Sequence, residues 1–529
     1  MKAREYFVII SFLLTVSIAI ISIFWKPVLW LFLLIGPLIL LGLYDVFQKK
    51  RTIRRNFPLI GRFRYMLESI RPEIMQYFVE TDTQGRPINR ILRSLVYQRA
   101  KGMNDTEPFG TQMDIYHSGY EWLEHSMYAK NNPKDIGEFP RLLIGGKECK
   151  QPYSSSLLNI SAMSFGSLSK NAIMALNKGA KMGNFAHNTG EGGISNYHLE
   201  HGGDLIWQIG TGYFGCRHDD GSFNESTFRE NAIRPEVKMI EIKLSQGAKP
   251  GHGGILPASK NTEEIAKIRH IKPHIAVHSP PSHSAFKDPI EFMHFIKKLR
   301  ELSDGKPIGF KLCLGRKQEF MDFCEAMIYT KILPDFITVD GGEGGTGAAP
   351  VEFSNSMGMP LREGLIFVHD TLVGFGLREE IKVIVAGKII TGFHMARAIA
   401  LGADGCNSAR AMMLSIGCIQ ALQCNSNTCP VGVATQNPSL TRGLVVDDKA
   451  PRAKRYHEAT IHSFLELVAA AGLNGPEELT REHISKRVGL YNVQTYEDIY
   501  PYMKPGSLLE VSNIPESYKK FFHLTRIMK

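Results

Sequence analysis

Phe336-Ile-Thr-Val-Asp340 is a short apolar run that ends in a charged residue and leads into a glycine-rich segment. Runs of the same form, ending in Gly, Ser, Thr or a charged residue, recur along the chain at Asn159–Gly166, Phe185–Gly190, Ile206–Gly212, Met239–Leu244, Ile308–Leu312, Lys382–Gly387 and Ala403–Ser408. Eight alternating strand and helix units are typical of a (β/α)8 barrel, in which polar residues at the strand ends form the active face. The sequence therefore predicts an α/β protein built on a (β/α)8 TIM barrel, with a doubly wound sheet as the competing architecture.

The segment Gly342-Glu-Gly344-Gly-Thr-Gly347 has the spacing G-x-G-x-x-G, which on its own would favour the doubly wound sheet. A dinucleotide site needs the third glycine to begin a helix, whereas Ala348-Ala-Pro350 is followed by further loop residues. We therefore expect a loop whose backbone amides bind one phosphate of a mononucleotide such as FMN. A glycine-rich loop that only turns the chain is the alternative.

Three cysteines follow the last predicted strand in Cys418-Ile-Gln-Ala-Leu-Gln-Cys424-Asn-Ser-Asn-Thr-Cys429-Pro430. Tetrahedral zinc would require a fourth ligand and paired C-x2-C spacing, whereas thiolates followed by Cys-Pro are typical of iron–sulfur loops. Three ligands suggest a three-iron cluster, and buried unligated cysteines are the alternative. The chain has eight cysteines, none before Cys149, and this is not the pattern of a secreted disulfide scaffold.

The net charge of +10 is concentrated at the N-terminus, where ten Lys or Arg residues face two acidic residues within the first 64 positions. The rest of the chain is nearly neutral, which argues against a nucleic-acid-binding groove. Two uncharged apolar runs, Tyr6–Trp25 and Val28–Tyr44, are each long enough to span a bilayer, and only Lys26-Pro27 separates them.

Basic residues flank this pair of runs at both ends, with Lys2 and Arg4 before it and residues 49–55 after it. Because the two runs are predicted to form a hairpin, both ends return to the same side of the membrane. The positive-inside rule then places both ends, and the catalytic domain, on the cytoplasmic side of the cell membrane. A cleaved signal peptide is the alternative, although no small-residue cleavage site follows the first run.

The sequence predicts four regions. They are a transmembrane helical hairpin with a basic neck (1–56), an accessory or cap region (57–150), the barrel with its cysteine loop (151–440) and a C-terminal helical extension (441–529).

From about Leu157 to Leu440 the chain resembles the synthase half of glutamate synthase, and more closely the short glutamate synthase-like proteins. The motifs that carry the resemblance occur in the family's order: Ser161-Ala-Met-Ser-Phe-Gly-Ser-Leu-Ser169, Asn188-Thr-Gly-Glu-Gly-Gly193, Glu241-Ile-Lys-Leu-Ser-Gln-Gly-Ala-Lys-Pro-Gly251, Ser279-Pro-Pro281, Gly344-Gly-Thr-Gly-Ala348 and Cys429-Pro-Val-Gly-Val-Ala-Thr-Gln436. The resemblance implies an FMN-binding barrel, a 3Fe-4S cluster on Cys418, Cys424 and Cys429, and reductive amination of 2-oxoglutarate with ammonia.

Site residues follow from strand ends and from the resemblance. We expect FMN to contact the strand-end and loop residues Ala162, Met163, Ser164, Asn188, Lys311, Asp340, Gly344, Gly345, Thr346, Gly387, Ser408, Ala409 and Arg410. A strand-end lysine stabilises the negative charge of reduced flavin near N1, with Lys311 the first choice and Lys243 the second. Gln246, Lys249 and Arg269 match the family's 2-oxoglutarate contacts, and Lys243 completes the predicted catalytic set. A surface lysine at a strand end and a solvated helix charge at Arg269 are the alternatives.

The chain departs from the family pattern at Lys170-Asn171, His252 and Ile255, and these departures leave the identity of the substrate open. We expect neither a glutaminase half nor an NAD(P)H-binding unit, so ammonia would come from a free pool or a separate glutaminase subunit and electrons from ferredoxin or a membrane donor. The expected function is reduction of 2-iminoglutarate to glutamate. A related oxidoreductase acting on another amine or 2-oxo acid, and a membrane-tethered electron-transfer protein, are the alternatives.

Overall fold

The computed structural model describes residues 3–103, 106–131 and 139–522, so Lys2, which entered the predicted orientation, lies outside the described residues. The chain forms two compact units, Met1–Arg90 and Ile91–Lys529.

The first unit is helical. Its elements are α1 (Ala3–Phe24), a 3-10 segment (Lys26–Leu31), α2 (Phe32–Phe47), α3 (Thr52–Asn56), α4 (Ile60–Ile74) and a π-helical turn (Met75–Val79). The segments Ala3–Phe24 and Lys26–Phe47 are long and apolar enough to cross a membrane, a criterion of length and composition alone. A side chain at Gly42 would collide with the ring of Phe7, so α1 and α2 run antiparallel as the predicted hairpin requires.

The end of the hairpin is fixed by an ion pair between a buried carboxylate and a partly exposed arginine. Asp45 is fully buried in α2, and its carboxylate accepts hydrogen bonds from Arg62 Nε at 2.7 Å and Nη2 at 2.8 Å. The Leu59 amide donates to the same carboxylate at 3.3 Å. A bidentate Arg–carboxylate pair restricts geometry strongly, so α4 is held in a defined position relative to α2.

The barrel is closed at one end by a hairpin. Ahead of the barrel the chain forms α5 (Arg90–Lys101), β1 (Glu121–Leu123), β2 (Arg141–Ile144) and β3 (Tyr153–Ser156), with β2 and β3 antiparallel. Ile144 and Tyr153 of this hairpin pack in one cluster with Ile206, Met239 and Phe336, which lie at or near the starts of barrel strands. The amino end of the barrel is therefore filled with apolar side chains.

Eight parallel strands form a closed barrel, as predicted. The strands of this region, including the small antiparallel pair β8 and β9, are β4 (Leu158–Ile160), β5 (His187–Asn188), β6 (Leu205–Ile209), β7 (Val237–Lys243), β8 (Ile255–Leu256), β9 (Val277–His278), β10 (Ile308–Leu312), β11 (Phe336–Asp340), β12 (Lys382–Ala386) and β13 (Gly405–Ser408). The last strand pairs with the first, and the Ser161 amide donates to the Ser408 carbonyl at 3.0 Å. Each of the eight predicted runs contains residues of one barrel strand, because apolar runs buried on both faces identify parallel strands well.

Helices follow the strands. They are α6 (Lys170–Gly183), α7 (Asn196–Leu199), α8 (Glu225–Ala232), α9 (Glu263–Arg269), α10 (Pro289–Leu302), α11 (Lys317–Thr330), α12 (Val351–Ser356), α13 (Leu361–Gly374), α14 (Gly392–Ala400), α15 (Arg410–Ser415) and α16 (Pro438–Thr441). Several begin at side-chain caps: the Ser169 hydroxyl accepts from the Ala172 amide at 3.2 Å, and Asp288 accepts from the Glu291 amide at 2.8 Å.

One local prediction was wrong. The residues after Ala348-Ala-Pro350 were expected to form only loop, whereas Val351–Ser356 form the short helix α12. Pro350 fits the start of a helix, because its fixed φ suits that position and it has no amide to leave unpaired. The helix begins after Pro350 and not at Gly347, so the helix that a dinucleotide motif needs at its third glycine is absent from this described segment.

The C-terminal part contains α17 (Val446–Ala470), β14 (Ile484–Arg487), β15 (Val493–Thr495), α18 (Tyr496–Ile499) and α19 (Glu516–Phe522). The long helix α17 packs against α6 and α14 on the outside of the barrel. Strands β14 and β15 form a three-stranded sheet with β1, so the region expected to be helical also contains two strands. Short strands paired with a distant segment lack a local sequence signal.

Candidate active site at the barrel mouth

The carboxyl ends of the barrel strands meet at the end opposite the β2–β3 hairpin, and the predicted flavin segment Ala162-Met163-Ser164 lies there after β4. The loop after β5 packs directly on it. A side chain at Gly190 would stand 2.7 Å from the Ser164 amide nitrogen, and Gly190 has φ of +62°. Glycine is therefore required at this position for both space and backbone conformation.

Glu191, next along this loop, gathers the predicted cations. Its Oε1 lies 2.7 Å from Lys243 Nζ at the end of β7. Burial alone would raise the pKa of Glu191, but the positive charges of Lys243, Lys249 and Arg269 outweigh it and lower that pKa. Oε2 of the same carboxylate is buried without a hydrogen-bond partner among the described residues. Three of the four predicted catalytic residues thus lie near enough to Glu191 to lower its pKa, although no role was predicted for this carboxylate from the sequence.

Lys249 and Arg269 are both buried and are held by carbonyl oxygens. Lys249 Nζ donates to the Ala348 carbonyl at 2.8 Å, and burial lowers the pKa of Lys249 to about 8. Arg269 Nη2 donates to the Phe165 carbonyl at 3.0 Å, and burial lowers its pKa to about 10. The fourth predicted residue, Gln246, is half-buried, and its carbonyl accepts from the Lys249 amide at 3.3 Å.

A second buried carboxylate lies inside the barrel. Oε1 of Glu241 accepts from Asn188 Nδ2 at 2.9 Å and from Gln208 Nε2 at 2.7 Å, and Oε2 accepts from Thr338 Oγ1 at 2.6 Å. The predicted cofactor residue Asn188 is thereby fixed in orientation. The sequence signal for Glu241 was available, because it is a carboxylate within the otherwise apolar run Met239–Ile242.

Lys311 and Asp340, both predicted cofactor residues, form a buried pair with Nζ 3.0 Å from Oδ2. Burial lowers the pKa of Lys311, but the charges of Asp340 and Glu241 outweigh it, so the pKa is raised and the ammonium is retained. Asp340 Oδ2 also accepts from the Gly247 amide at 3.1 Å. Lys311 stands beside Lys243 in the strand register, which places two positive charges at adjacent strand ends.

Further predicted cofactor residues come together across three strand ends. Arg410 Nη2 donates to the Glu343 carbonyl at 2.6 Å, and a side chain at Gly345 would meet Arg410 Cδ at 2.9 Å. Gly387 has φ of +140° and faces the Gly341 amide. The Gly344 amide is used within its own turn, donating to the Gly341 carbonyl at 2.8 Å. The exposed residues Gly345 and Thr346 therefore carry the amides that can face a phosphate.

Two more of the predicted cofactor residues, Ser408 and Ala409, lie at the end of β13. Ser408 Oγ donates to the Ile389 carbonyl at 2.6 Å, and Ala409 immediately precedes α15. Ser408 thereby ties the end of β13 to the loop after β12.

The three cysteines of the loop lie close enough to influence one another. Burial raises the pKa of Cys418 to about 12, and the charges of Cys424 and Cys429 contribute to that shift. The described residues contain no group of three His, Cys, Asp or Glu side chains placed to hold a single metal ion. In an iron–sulfur cluster each thiolate binds its own iron, so the donor set fits a cluster in its chemistry and does not fit a mononuclear site.

The sequence model described as "Conserved region in glutamate synthase" matches residues 125–474, which include the barrel and the cysteine loop. The chain belongs to the glutamate synthase family. It is an oxidoreductase of the glutamate synthase type.

Relatives in the glutamate synthase family differ in how much of their length this chain spans. It is 37% identical over 481 residues to the glutamate synthase large subunit-like protein YerD of Bacillus subtilis, covering 84% of this chain and 91% of that protein. It is 32% identical over 337 residues to the archaeal-type glutamate synthase [NADPH] of Thermotoga maritima, covering 63% of each. The match to the glutamate synthase [NADPH] large chain of Bacillus subtilis covers 61% of this chain and 21% of that protein.

Solved structures similar to this glutamate synthase-type chain include a flavocytochrome b2 with pyruvate bound, at 12% identity and a TM-score of 0.42, covering 83% of this chain and 89% of that one. A mandelate oxidase matches at 12% identity and a TM-score of 0.41, covering 82% of this chain and 99% of the mandelate oxidase chain.

Two of the departures from the family pattern, His252 and Ile255, lie near this site. His252 packs edge-on against Phe353 of α12 with ring centroids 5.1 Å apart, and its Nδ1 lies 2.8 Å from the Gly253 carbonyl oxygen. Ile255 begins β8 and is half-buried. Gly254, between them, lies so close to Glu191 that a side chain there would stand 2.6 Å from Oε1.

Proposed function

We propose that this protein is an FMN- and iron–sulfur-dependent enzyme that reduces 2-iminoglutarate, formed from 2-oxoglutarate and ammonia, to glutamate. The observation that carries the proposal is the buried group of Lys243, Lys249 and Arg269 around Glu191 at the barrel mouth. A dicarboxylate needs cations that are already desolvated and held in place, and this group provides them.

Each residue of the group has a distinct role in the proposal. Arg269 and Lys249 bind the substrate carboxylates. Arg269 uses the part of its guanidinium group that is not occupied by the hydrogen bond to the Phe165 carbonyl. Lys249, with a pKa of about 8, can also give up a proton near neutral pH to the nitrogen of the reduced product. Glu191 holds Lys243 at 2.7 Å and keeps the positive charges from repelling one another.

FMN fits the strand ends that lie beside this group. The Ala162–Ser164 backbone would contact the edge of the ring, Lys311 would stabilise negative charge near N1, and the Gly345–Thr346 amides with Arg410 would bind the phosphate. When bound, FMN supplies the hydride that reduces the imine carbon. Lys311 is suited to its role because Asp340 and Glu241 keep it protonated although it is buried.

Electrons would reach the flavin through a 3Fe-4S cluster on Cys418, Cys424 and Cys429, from ferredoxin or a donor in the membrane. The hairpin α1–α2 would anchor the enzyme in the cell membrane with its catalytic domain in the cytoplasm. Ammonia would come from solution or from a separate glutaminase subunit.

The proposal is tested by stopped-flow reoxidation of the reduced protein. We expect 2-oxoglutarate with ammonium to accelerate reoxidation of the flavin, and either compound alone to have little effect. No acceleration by any of a panel of 2-oxo acids with ammonium would exclude reductive amination and favour the electron-transfer alternative.

A second candidate is the same chemistry on a less polar 2-oxo acid. It is favoured by the apolar contact between His252 and Phe353 and by Ile255, which replaces an amide-bearing residue of the family. Ile255→Gln separates the two candidates. Faster reoxidation by 2-oxoglutarate in this variant indicates a poorly fitted dicarboxylate site, and slower reoxidation by the preferred acid indicates a pocket adapted to an apolar chain.

A further inference from the structure

The cysteine loop is bound to a second loop that precedes α9. Asn427, between the second and third cysteines, donates from Nδ2 to the Ser259 carbonyl at 2.9 Å. The Asn427 side chain is itself fixed, because its Oδ1 accepts from the Gln436 amide at 2.7 Å. Residue 260, which follows Ser259, is therefore held against the cysteine loop.

That residue is Lys260, and its ammonium group is buried. Lys260 is only 2% exposed, and Nζ donates to the Ser167 carbonyl at 2.9 Å. No carboxylate of the described residues lies within ion-pair distance of it. The charges that favour its protonated form are those of Cys424 and Cys429, although burial lowers its pKa to about 8. A buried cation needs an anion nearby, and the thiolates of the proposed cluster would supply it.

Ser167 belongs to a turn that both the cysteine loop and the substrate group contact. Gln436 Nε2 donates to the Leu168 carbonyl at 2.8 Å and to the Gly166 carbonyl at 3.2 Å. Arg269 Nη2 donates to the Phe165 carbonyl in the same turn. Lys260 thus lies between the cysteines and the turn that follows the predicted flavin segment.

We propose that Lys260 is the counter-charge of the iron–sulfur centre, raising the reduction potential of the cluster held by Cys418, Cys424 and Cys429. The inference rests on the proposed cluster. Reduction by one electron from the donor adds one negative charge, with no bond made or broken, and the Lys260 ammonium stabilises the reduced form more than the oxidised form. Lys260 is a positioning residue, since it contacts Ser167 and not the reacting atoms.

The test is an EPR-monitored redox titration of the purified holoprotein and of three variants. Lys260→Gln removes the charge, and Lys260→Arg keeps it. Lys306→Gln is a matched control, because Lys306 is also buried, donates to the Ala232 and Arg234 carbonyls at 2.7 and 2.6 Å, and precedes β10 at the opposite end of the barrel. Iron and flavin contents are measured on each sample.

We expect Lys260→Gln to retain iron and to lower the potential, so that the ratio of reduced to oxidised cluster at a fixed potential falls at least tenfold, or 59 mV for one electron. Lys260→Arg and Lys306→Gln should stay close to the wild type. Loss of iron in Lys260→Gln with retention in Lys260→Arg would also support a requirement for charge.

An unchanged potential in iron-replete Lys260→Gln would overturn the inference and leave the proposed function standing. Loss of iron in both Lys260 variants would overturn it as well, because shape and not charge would then be required. A wild-type protein that contains no iron would remove the proposed cluster, and this inference with it.

Discussion

The Lys243 ammonium and the Glu191 carboxylate, 2.7 Å apart, connect the fourth barrel strand to the loop after the second at the barrel mouth. The pair is almost fully buried, so neither charge is well solvated if the other is removed.

Glu191→Gln should therefore destabilise the protein and reduce turnover together. Removing one member of a buried pair costs about 3–5 kcal/mol, and here it also leaves Lys249 and Arg269 without their shared carboxylate. The free energy of unfolding is measured in urea. Glu225→Gln is the control, because Glu225 pairs with Lys298 at 2.8 Å on the surface. Loss of this exposed ion pair should lower the free energy of unfolding by about 1 kcal/mol or less. Equal effects of the two substitutions would contradict the role given to Glu191.

Cys424→Ser should abolish the iron content while the barrel remains folded and binds flavin, since the cysteine loop follows the last barrel strand. Iron is measured by elemental analysis and folding by circular dichroism. Cys149→Ser is the control, because Cys149 lies outside the cysteine loop and its thiol donates to the Gly305 carbonyl at 3.3 Å. This variant should keep its full iron content. Full iron in Cys424→Ser would exclude the ligand assignment.

Arg269→Ala should lower kcat/KM for the 2-oxo acid by the equivalent of about 2–5 kcal/mol, through loss of a desolvated charge-assisted pair, with flavin content unchanged. Arg269→Lys keeps the charge but not the planar fork and should fall between the alanine variant and the wild type. A loss of flavin in the alanine variant would show instead that the hydrogen bond from Arg269 to Phe165 maintains the flavin segment.

Substrate binding should weaken as the pH rises through about 8. Lys249 binds a carboxylate only when protonated, and burial lowers its pKa to about 8, so the binding form predominates below that pH and is lost above it. KM for the 2-oxo acid, measured from pH 6.5 to pH 9.5, should rise on the alkaline side. In Lys249→Arg the rise should disappear over this range, and a rise that persists unchanged would point to another group.

Removal of residues 1–90 should give a soluble, flavin-binding protein, because the first compact unit ends at Arg90 and every barrel strand lies beyond it. A shorter deletion of residues 1–55 leaves α4, whose apolar residues Ile60, Phe63 and Leu67 are exposed. Fractionation after ultracentrifugation compares the two. If the longer deletion still sediments with membranes while folded, the hairpin is not the only anchor.

The fold was predictable because each barrel strand is a short apolar run with its own local signal. The grouping of Lys243, Lys249 and Arg269 was inferred from family resemblance, but their common partner Glu191 could not be located by spacing alone. It is brought to Lys243 by pairing between strands far apart in sequence. The contact of Lys260 with Ser167 likewise depends on two loops meeting in space, and the short strand β14 is defined only by its distant partner β1.

Closure of the barrel between β4 and β13 has a consequence for biosynthesis. The flavin-ring segment Ala162–Ser164 leaves the ribosome long before Ser408 and Arg410, yet both belong to the same predicted cofactor site. A nascent chain that has not completed β13 lacks the Ser161–Ser408 hydrogen bond and Arg410, the proposed phosphate ligand. Stable cofactor binding would therefore wait until β13 has been synthesised, and flavin retention would report whether the final strand has been added.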